Sequence, residues 1–398
     1  MDPASLYASP NALAPHYARF RVSERLLLTG HSHQAWPDCG FDGHQAAWLD
    51  AAHYVDDKWE HAFVQAERVR DGFARLLGDA GGGIALGANT HELVVRLLSA
   101  LPLKTRPRLL TTDGEFHSIR RQLDRLEEEG LTVVRVPEAP LESLASRISR
   151  AVDDRTALVS VSAVFFDTGR IAHGLAEVAA SCHHHGSTLL VDAYHALNVV
   201  PISLANEGLG DAFIVGGGYK YCQLGEGNCF LRIPRDTHLR PVVTGWFSEF
   251  TVLEDRQRAE RVAYGGGGDQ FAGATYDPTS HYRAVRVFEF FRQRGLTPTL
   301  LREVSQHQIE LLASTFDALD LDPAVLTRDR KCPIRDIGGF LALRSRVAVS
   351  LARSLRGRGV WADARGEVLR LGPAPYLSDR QLRDAMALLG EVSRENAS

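Results

Sequence analysis

Apolar positions recur at helical spacing from about residue 42 to 77 and again over 91–101. Beyond them, short apolar runs alternate with amphipathic stretches. RLLTT (108–112), TVVRVP (132–137), ALVSVSAVFF (157–166), TLLVDAYH (188–195) and AFIVGGGYK (212–220) read as strands. SIRRQLDRLEEEG (118–130), closed by Gly130, and LAEVAASCHHHG (175–186) read as helices between them. Such alternation predicts a mainly parallel α/β sheet, whose ligands collect at the carboxyl ends of its strands. From about residue 282 the pattern changes. YRAVRVFEFFRQRG (282–295) reads as a long helix, and 300–398 mixes helices with short strands such as GGFLALR (338–344) and EVLRLGP (367–373). A large α/β domain over 51–290 and a smaller C-terminal α+β domain over 291–398 are expected.

Composition narrows the class. A chain of 398 residues suits one large domain and a smaller one. The hydrophobic share of 44% and charged share of 24% are those of a globular protein. A net charge of −4 supplies no basic field for nucleic acid. No apolar run approaches the roughly 18 residues of a membrane span, and the first residues lack the apolar segment of a secretion signal. Cys39, Cys182, Cys222, Cys229 and Cys332 are scattered, without zinc-site spacing, so reduced thiols, a cytoplasmic location and no metal are expected. The run His183, His184, His185 reads as a solvated helix end complementing the dipole.

Candidate chemistry sits just after the apolar runs. VDAYH (191–195) places Asp192 at a strand end, either as a turn residue or as the partner of a protonated ring nitrogen. GGGYKY (216–221) follows about 28 residues later, with Lys220 expected to end a strand and glycines 216–218 expected to let the backbone approach a ligand. A desolvated lysine amine forms an imine with an aldehyde cofactor. GANTHEL (87–93) is a glycine-containing turn into a helix, either a phosphate cradle or an ordinary cap by Asn89 or Thr90. Phe116 of EFHS is either core or a ring that stacks on a flat heteroaromatic group. Arg370 is either a carboxylate clamp or half of a structural ion pair.

Together these residues resemble the class V aminotransferase superfamily of pyridoxal-phosphate (PLP) enzymes, and within it kynureninase, along nearly the whole chain. LLLTGHSHQAWP (26–37) resembles the family's entry segment. SAVFFDTG (162–169), DAYH, GYKY, GWF (245–247), FAGAT (271–275) and GVWADARGEVLRLGPAPY (359–376) resemble its later motifs. The resemblance implies fold type I, with a seven-stranded-type, mainly parallel sheet, helices on both faces, and residues 1–50 joining the small domain. It implies that Lys220 holds PLP and moves the α-proton, that Asp192 holds the pyridine nitrogen, and that His195 sits near the phenolate face or supports Asp192. It implies that Phe116 stacks on the ring and that Thr90, His91, Ser162, Tyr219, Trp246 and Thr275 surround the phosphate. The last two lie across a homodimer interface in the family. Arg370 would take the substrate carboxylate, with Ser32 and His33 beside it, and Tyr219 is a candidate proton relay.

Departures bear on the substrate. His31 stands where the family usually has Asn, His91 and Glu92 replace an apolar residue and a Thr, and Tyr276 follows Thr275. The leading expectation is hydrolysis of the Cβ–Cγ bond of a kynurenine-type amino acid to an aromatic acid and alanine. The alternative is another class V reaction: an aminotransferase, lyase or epimerase. A cysteine desulfurase needs a nucleophilic cysteine just before the carboxylate arginine, and WADARGEV (361–368) has none; Cys332 reads as structural. Trp36, His33 and Trp59 are candidates for the substrate side pocket.

Overall fold

A computed structural model of the chain describes residues 1–79, 81–250, 252 and 261–396. Its centre is a sheet of seven strands: β1 (Gly83–Gly87), β2 (Arg108–Thr112), β3 (Thr132–Val136), β4 (Thr156–Ser162), β5 (Thr188–Asp192), β6 (Phe213–Gly217) and β7 (Cys229–Ile233). Their spatial order is β1-β7-β6-β5-β4-β2-β3. β7 runs antiparallel to both neighbours, and the pairs from β6 through β3 are parallel.

The longer helices before the second sheet are α1 (Cys39–Tyr54), α2 (Lys58–Leu76), α3 (Thr90–Ala100), α4 (His117–Glu128), α5 (Leu144–Ala151), α6 (Leu175–His184), α7 (Thr279–Arg294) and α8 (Pro298–Ala318). Successive strand residues point to opposite faces, and the core divides accordingly. Leu109, Leu158 and Leu190 join Leu93 and Leu97 of α3 and Ile119 and Leu123 of α4. Their chain neighbours Leu110, Val159 and Val191 join Leu144 and Ile148 of α5 and Val178 of α6. Burial on both faces explains why every residue of β4 and β6 is buried.

The structure corrects several sequence boundaries. The helical pattern over 42–77 is two helices, broken where Val55 takes a φ of 51°. The strands expected over 157–166, 188–195 and 212–220 stop at Ser162, Asp192 and Gly217, so each expected strand overran into a polar loop. β1 and β7 were not foreseen.

A second sheet of β8 (Thr327–Arg328), β9 (Leu341–Arg344), β10 (Asp363–Arg365) and β11 (Val368–Leu371) has the order β10-β11-β9-β8, all antiparallel. Helices α9 (Ala348–Gly357) and α10 (Asp379–Glu395) accompany it. The chain's early part is bound to this region: Leu26–Leu27 pairs in parallel with Val360–Trp361, and Thr29 bridges Gly372. Among the described residues no helix is long and apolar enough to cross a membrane.

Candidate active site

The carboxyl ends of β4, β5 and β6 lie side by side, with Ser162 opposite Asp192 and Asp192 opposite Val215. Lys220 does not end β6, as expected, but lies three residues beyond Gly217 in a turn closed by the Gln223 amide on the Lys220 carbonyl at 3.1 Å. Gln223 holds the turn in a left-handed conformation, φ 58°, which costs a non-glycine residue about 1 kcal/mol. Its side chain compensates: Tyr17 donates to Oε1 at 2.5 Å, and Nε2 donates to Gln34 at 2.7 Å. The glycine run has a different use from the one expected. A Cβ on Gly217 or Gly218 would overlap Tyr194 or Leu224, and one on Gly216 would crowd Phe230, so these glycines make room for protein side chains.

The Lys220 side chain is buried, its Nζ 2.5 Å from His195 Nε2 and 4.6 Å from the Tyr194 ring centre. Phe116 lies on another side, its ring centre 5.6 Å from Nζ. Burial pulls the amine down to about 7; Asp192 opposes this and Arg370 adds to it. Burial, with the Lys220 charge second, drives His195 well below its usual range, so its ring is neutral. A neutral imidazole accepting at Nε2 carries its proton on Nδ1, and this buried Nδ1 has no hydrogen-bond partner among the described residues. Burial raises Asp192, against the Tyr194 amide donating at 2.8 Å and the Lys220 charge.

Glu115 is a site residue that the sequence reading missed. Its carboxylate is buried and accepts from Thr112 Oγ1 at 2.7 Å, from the Ser162 amide at 3.1 Å and from the Ser162 hydroxyl at 2.6 Å. Both donors of Ser162, expected beside the phosphate, go to Glu115.

Of the two readings of Arg370, the structure shows the ion pair. Its guanidinium is buried, ion-paired with Asp363 and donating to the Phe166 carbonyl at 2.7 Å, while Nε has no partner among the described residues. Asp363 also lies 3.6 Å from His31 Nε2 and 3.7 Å from Arg365 Nε. Burial works against the Asp363 charge, but His31 and Arg370 outweigh it and hold the carboxyl well below the usual range. His31 is fully buried, which lowers it to about 4 despite Asp363.

Thr90 and His91 open α3. Asn89 is the cap, accepting from the Glu92 amide at 3.0 Å, and the Thr90 amide faces the Cys229 thiol. Glu92 is turned onto Asn89 and Arg96. Trp246 donates to Thr275 at 3.2 Å, bringing these two together. Tyr219 stacks on His33, ring centres 4.8 Å apart, and His33 meets Ser32 Oγ at 3.0 Å. Trp36 packs instead against Arg283 and Phe20, and Trp59 against Phe63, Phe247 and Tyr276. Cys332 is a buried free thiol, and His183 and His185 pair with Asp211 and Asp154. Among the described residues no group of three or more ligating side chains has the arrangement of a metal site.

The residues around Lys220 fit PLP. A desolvated amine suits its aldehyde, a buried carboxylate suits its pyridine nitrogen, and the unpartnered His195 Nδ1 offers a donor. Comparison with known proteins agrees. Residues 60–238 match the family model "Aminotransferase class-V". The chain is 22% identical to an uncharacterized aminotransferase, YcbU, of Bacillus subtilis, covering 85% of this chain and 87% of that one. It is 26% identical to the kynureninase of Xanthomonas campestris, covering 91% and 84%. A solved structure of a C-DES mutant with glycine linked to its PLP cofactor superposes with a TM-score of 0.83 at 15% identity, covering 95% and 98%. The chain thus has the architecture of the PLP-binding enzymes of fold type I.

Proposed function

We propose that this protein is a PLP-dependent enzyme acting on a free α-amino acid, with Lys220 holding the cofactor and moving the α-proton. The observation that carries this reading is the buried Lys220 amine, lowered to about 7 and set between His195 and the strand end bearing Asp192. When bound, PLP supplies an aldehyde that takes an amine as an imine and a pyridine ring that accepts electron density from the bond broken at Cα. Asp192 holds the proton on the pyridine nitrogen. His195, neutral, accepts from Nζ and offers its Nδ1 proton. Phe116 covers one face of the ring. The start of α3 takes the phosphate through the His91 amide and the Thr90 hydroxyl, the Thr90 amide being turned to Cys229, together with Tyr219. Arg370 binds the substrate carboxylate through its free Nε, while Asp363 and the Phe166 carbonyl fix the guanidinium plane.

The reaction we favour is the Cα chemistry of an aminotransferase, lyase or epimerase. His31, buried against Asp363 where the resemblance leads one to expect Asn, supports a side-chain pocket different from that of a kynureninase. Kynureninase-type hydrolysis is the second reading, favoured by the similarity to kynureninase along nine-tenths of the chain and by Tyr219, a candidate relay, next to Lys220. A homodimer belongs to the proposal. Trp48, Leu49, Val64, Trp246 and Phe250 are large apolar side chains left exposed, as a subunit interface requires. So does the division into 51–290 and 291–398, with 1–50 joined to the latter, which the pairing of Leu26–Leu27 with Val360–Trp361 supports.

Purified protein loaded with PLP is expected to show a visible absorbance band that borohydride fixes covalently. A Lys220→Ala protein with the same spectrum ends the assignment. Alanine released from L-kynurenine or 3-hydroxykynurenine selects hydrolysis. A keto acid, pyruvate or a racemised amino acid from other substrates, without that alanine, selects the favoured class.

A further inference from the structure

Glu115 has no place in the chemistry above, and its setting is unusual. The carboxylate is 2% exposed, yet the charge acting on it is Asp192, of like sign. Burying a carboxylate without a cation is costly, and the hydroxyls of Thr112 and Ser162 do not need a charged acceptor to be satisfied. What Glu115 provides is a junction. Both oxygens are used: Oε1 accepts from Thr112 Oγ1 and the Ser162 amide, and Oε2 from the Ser162 hydroxyl. Thr112 ends β2 and Ser162 ends β4, directly opposite Asp192 on β5. The Ala163 amide, next in sequence, donates to the Asp192 carbonyl at 2.9 Å. On the other side, the residue after Glu115 is Phe116, which begins α4 and lies on Phe166 and beside Lys220.

We propose that Glu115 is a positioning residue for the cofactor site: its buried carboxylate straps the loop carrying Phe116 to the strand end beside Asp192, and so sets the depth at which Phe116 covers a ring whose nitrogen Asp192 holds. The proposal rests on the reading of Lys220 as the cofactor lysine. It differs from a purely structural role in one respect. The strap joins the two groups that touch opposite aspects of one flat ligand, so cutting it tilts that ligand without unfolding the sheet.

The test uses full-length protein loaded with PLP and compares wild type, Glu115→Ala, Glu115→Gln and Ser162→Ala. Two properties are read on protein whose far-ultraviolet circular dichroism is unchanged: the rate of cofactor loss after dilution, and the visible circular dichroism of the bound cofactor, which reports ring orientation. Glu115→Ala is expected to lose cofactor about ten-fold faster, as for a lost hydrogen bond to a charged group, with an altered visible signal. Glu115→Gln keeps an acceptor for the Ser162 amide and a donor for the hydroxyls, so it restores the wild-type signal and most of the retention. Ser162→Ala falls between them and decides the matter if Glu115→Ala does not fold. Wild-type retention and visible signal in both Ala variants, or in Ser162→Ala alone where Glu115→Ala is lost, overturns the strap. A wild-type protein that takes up no cofactor overturns the Lys220 reading and the strap with it, whereas loading of wild type with unaltered variants overturns the strap alone.

Discussion

The Lys220 amine and His195 Nε2 are 2.5 Å apart, and both side chains are buried. Among the described residues the Lys220 amine has one hydrogen-bond acceptor, and that acceptor is a neutral ring rather than a carboxylate. The arrangement keeps the amine available as a base while leaving Asp192 for another partner. Replacing His195 by Phe removes the acceptor and keeps the volume. We expect kcat to fall about 100-fold, the range for a misplaced proton-transfer group, with KM little changed. Gln, which retains an acceptor, should recover part of the loss. Steady-state kinetics on the substrate found by the panel check this, and a Phe variant with wild-type kcat refutes the role.

Cofactor uptake carries a pH signature. Only the unprotonated amine attacks an aldehyde, and burial disfavours the charged form, moving Lys220 from 10.5 to about 7. The rate at which cofactor-free protein takes up PLP should therefore climb through pH 7 and level off about one unit above it. A rate still climbing near pH 10 would mean an ordinary, solvated lysine. Rapid-mixing absorbance measurements across this range decide between them.

His31 should make acid the weak side of the fold. Its folded value is about 4 against 6.5 in the unfolded chain. Between these values the unfolded state takes up a proton that the folded state refuses, so this group's contribution to stability falls as pH drops from about 6.5 to 4, by on the order of 3 kcal/mol. Glu115 acts with the opposite sign: raised to about 7 from 4.5, it favours the folded state as pH falls through that window. The two are separated by comparing wild type with His31→Asn in denaturant titrations at several pH values. The variant should lose the acid-side decline, and parallel pH profiles would contradict the burial of a neutral ring.

Arg370→Lys tests the clamp. A lysine cannot donate to the Phe166 carbonyl, to Asp363 and to a substrate in one plane. KM for the amino acid is expected to rise about ten-fold or more, with the melting temperature lowered only modestly. Arg370→Met, which leaves Asp363 only the more distant His31 and Arg365, should also lower the melting temperature further than the lysine variant does. Unchanged KM in the lysine variant would leave Arg370 as an ion-pair residue only.

Much of this was readable from residue order, for identifiable reasons. Strands covered on both faces are continuous apolar runs, which is why β2, β4, β5 and β6 stood out and the edge strand β3 showed as an apolar run broken by Arg135, while β1 lay inside a glycine-rich stretch and β7 is a short antiparallel insertion after GEGN. Asp192, Lys220 and Phe116 stood out as candidates because each follows the end of an apolar run, and the fold brings them near one another. Glu115 was hidden because its partners, Thr112 and Ser162, include one 47 residues away, and nothing local marks a glutamate as buried. The contact of Ser162 with Glu115 was hidden for the same reason. The pairing of His31 with Asp363 joins residues more than three hundred apart and depends on the alignment of Thr29 with Gly372, a long-range register that periodicity does not encode.

That register also orders events in time. The turn bearing Lys220 is held by Gln223, which is held in turn by Tyr17 and Gln34, and the segment containing Gln34 is itself seated by Leu26–Leu27 lying along Val360–Trp361. A nascent chain emerging from the ribosome can complete the central sheet once residue 233 is out. The turn bearing Lys220 must wait for the last strands of the small domain to be synthesised. A ribosome-bound chain halted before residue 360 should contain a finished sheet and no competent lysine.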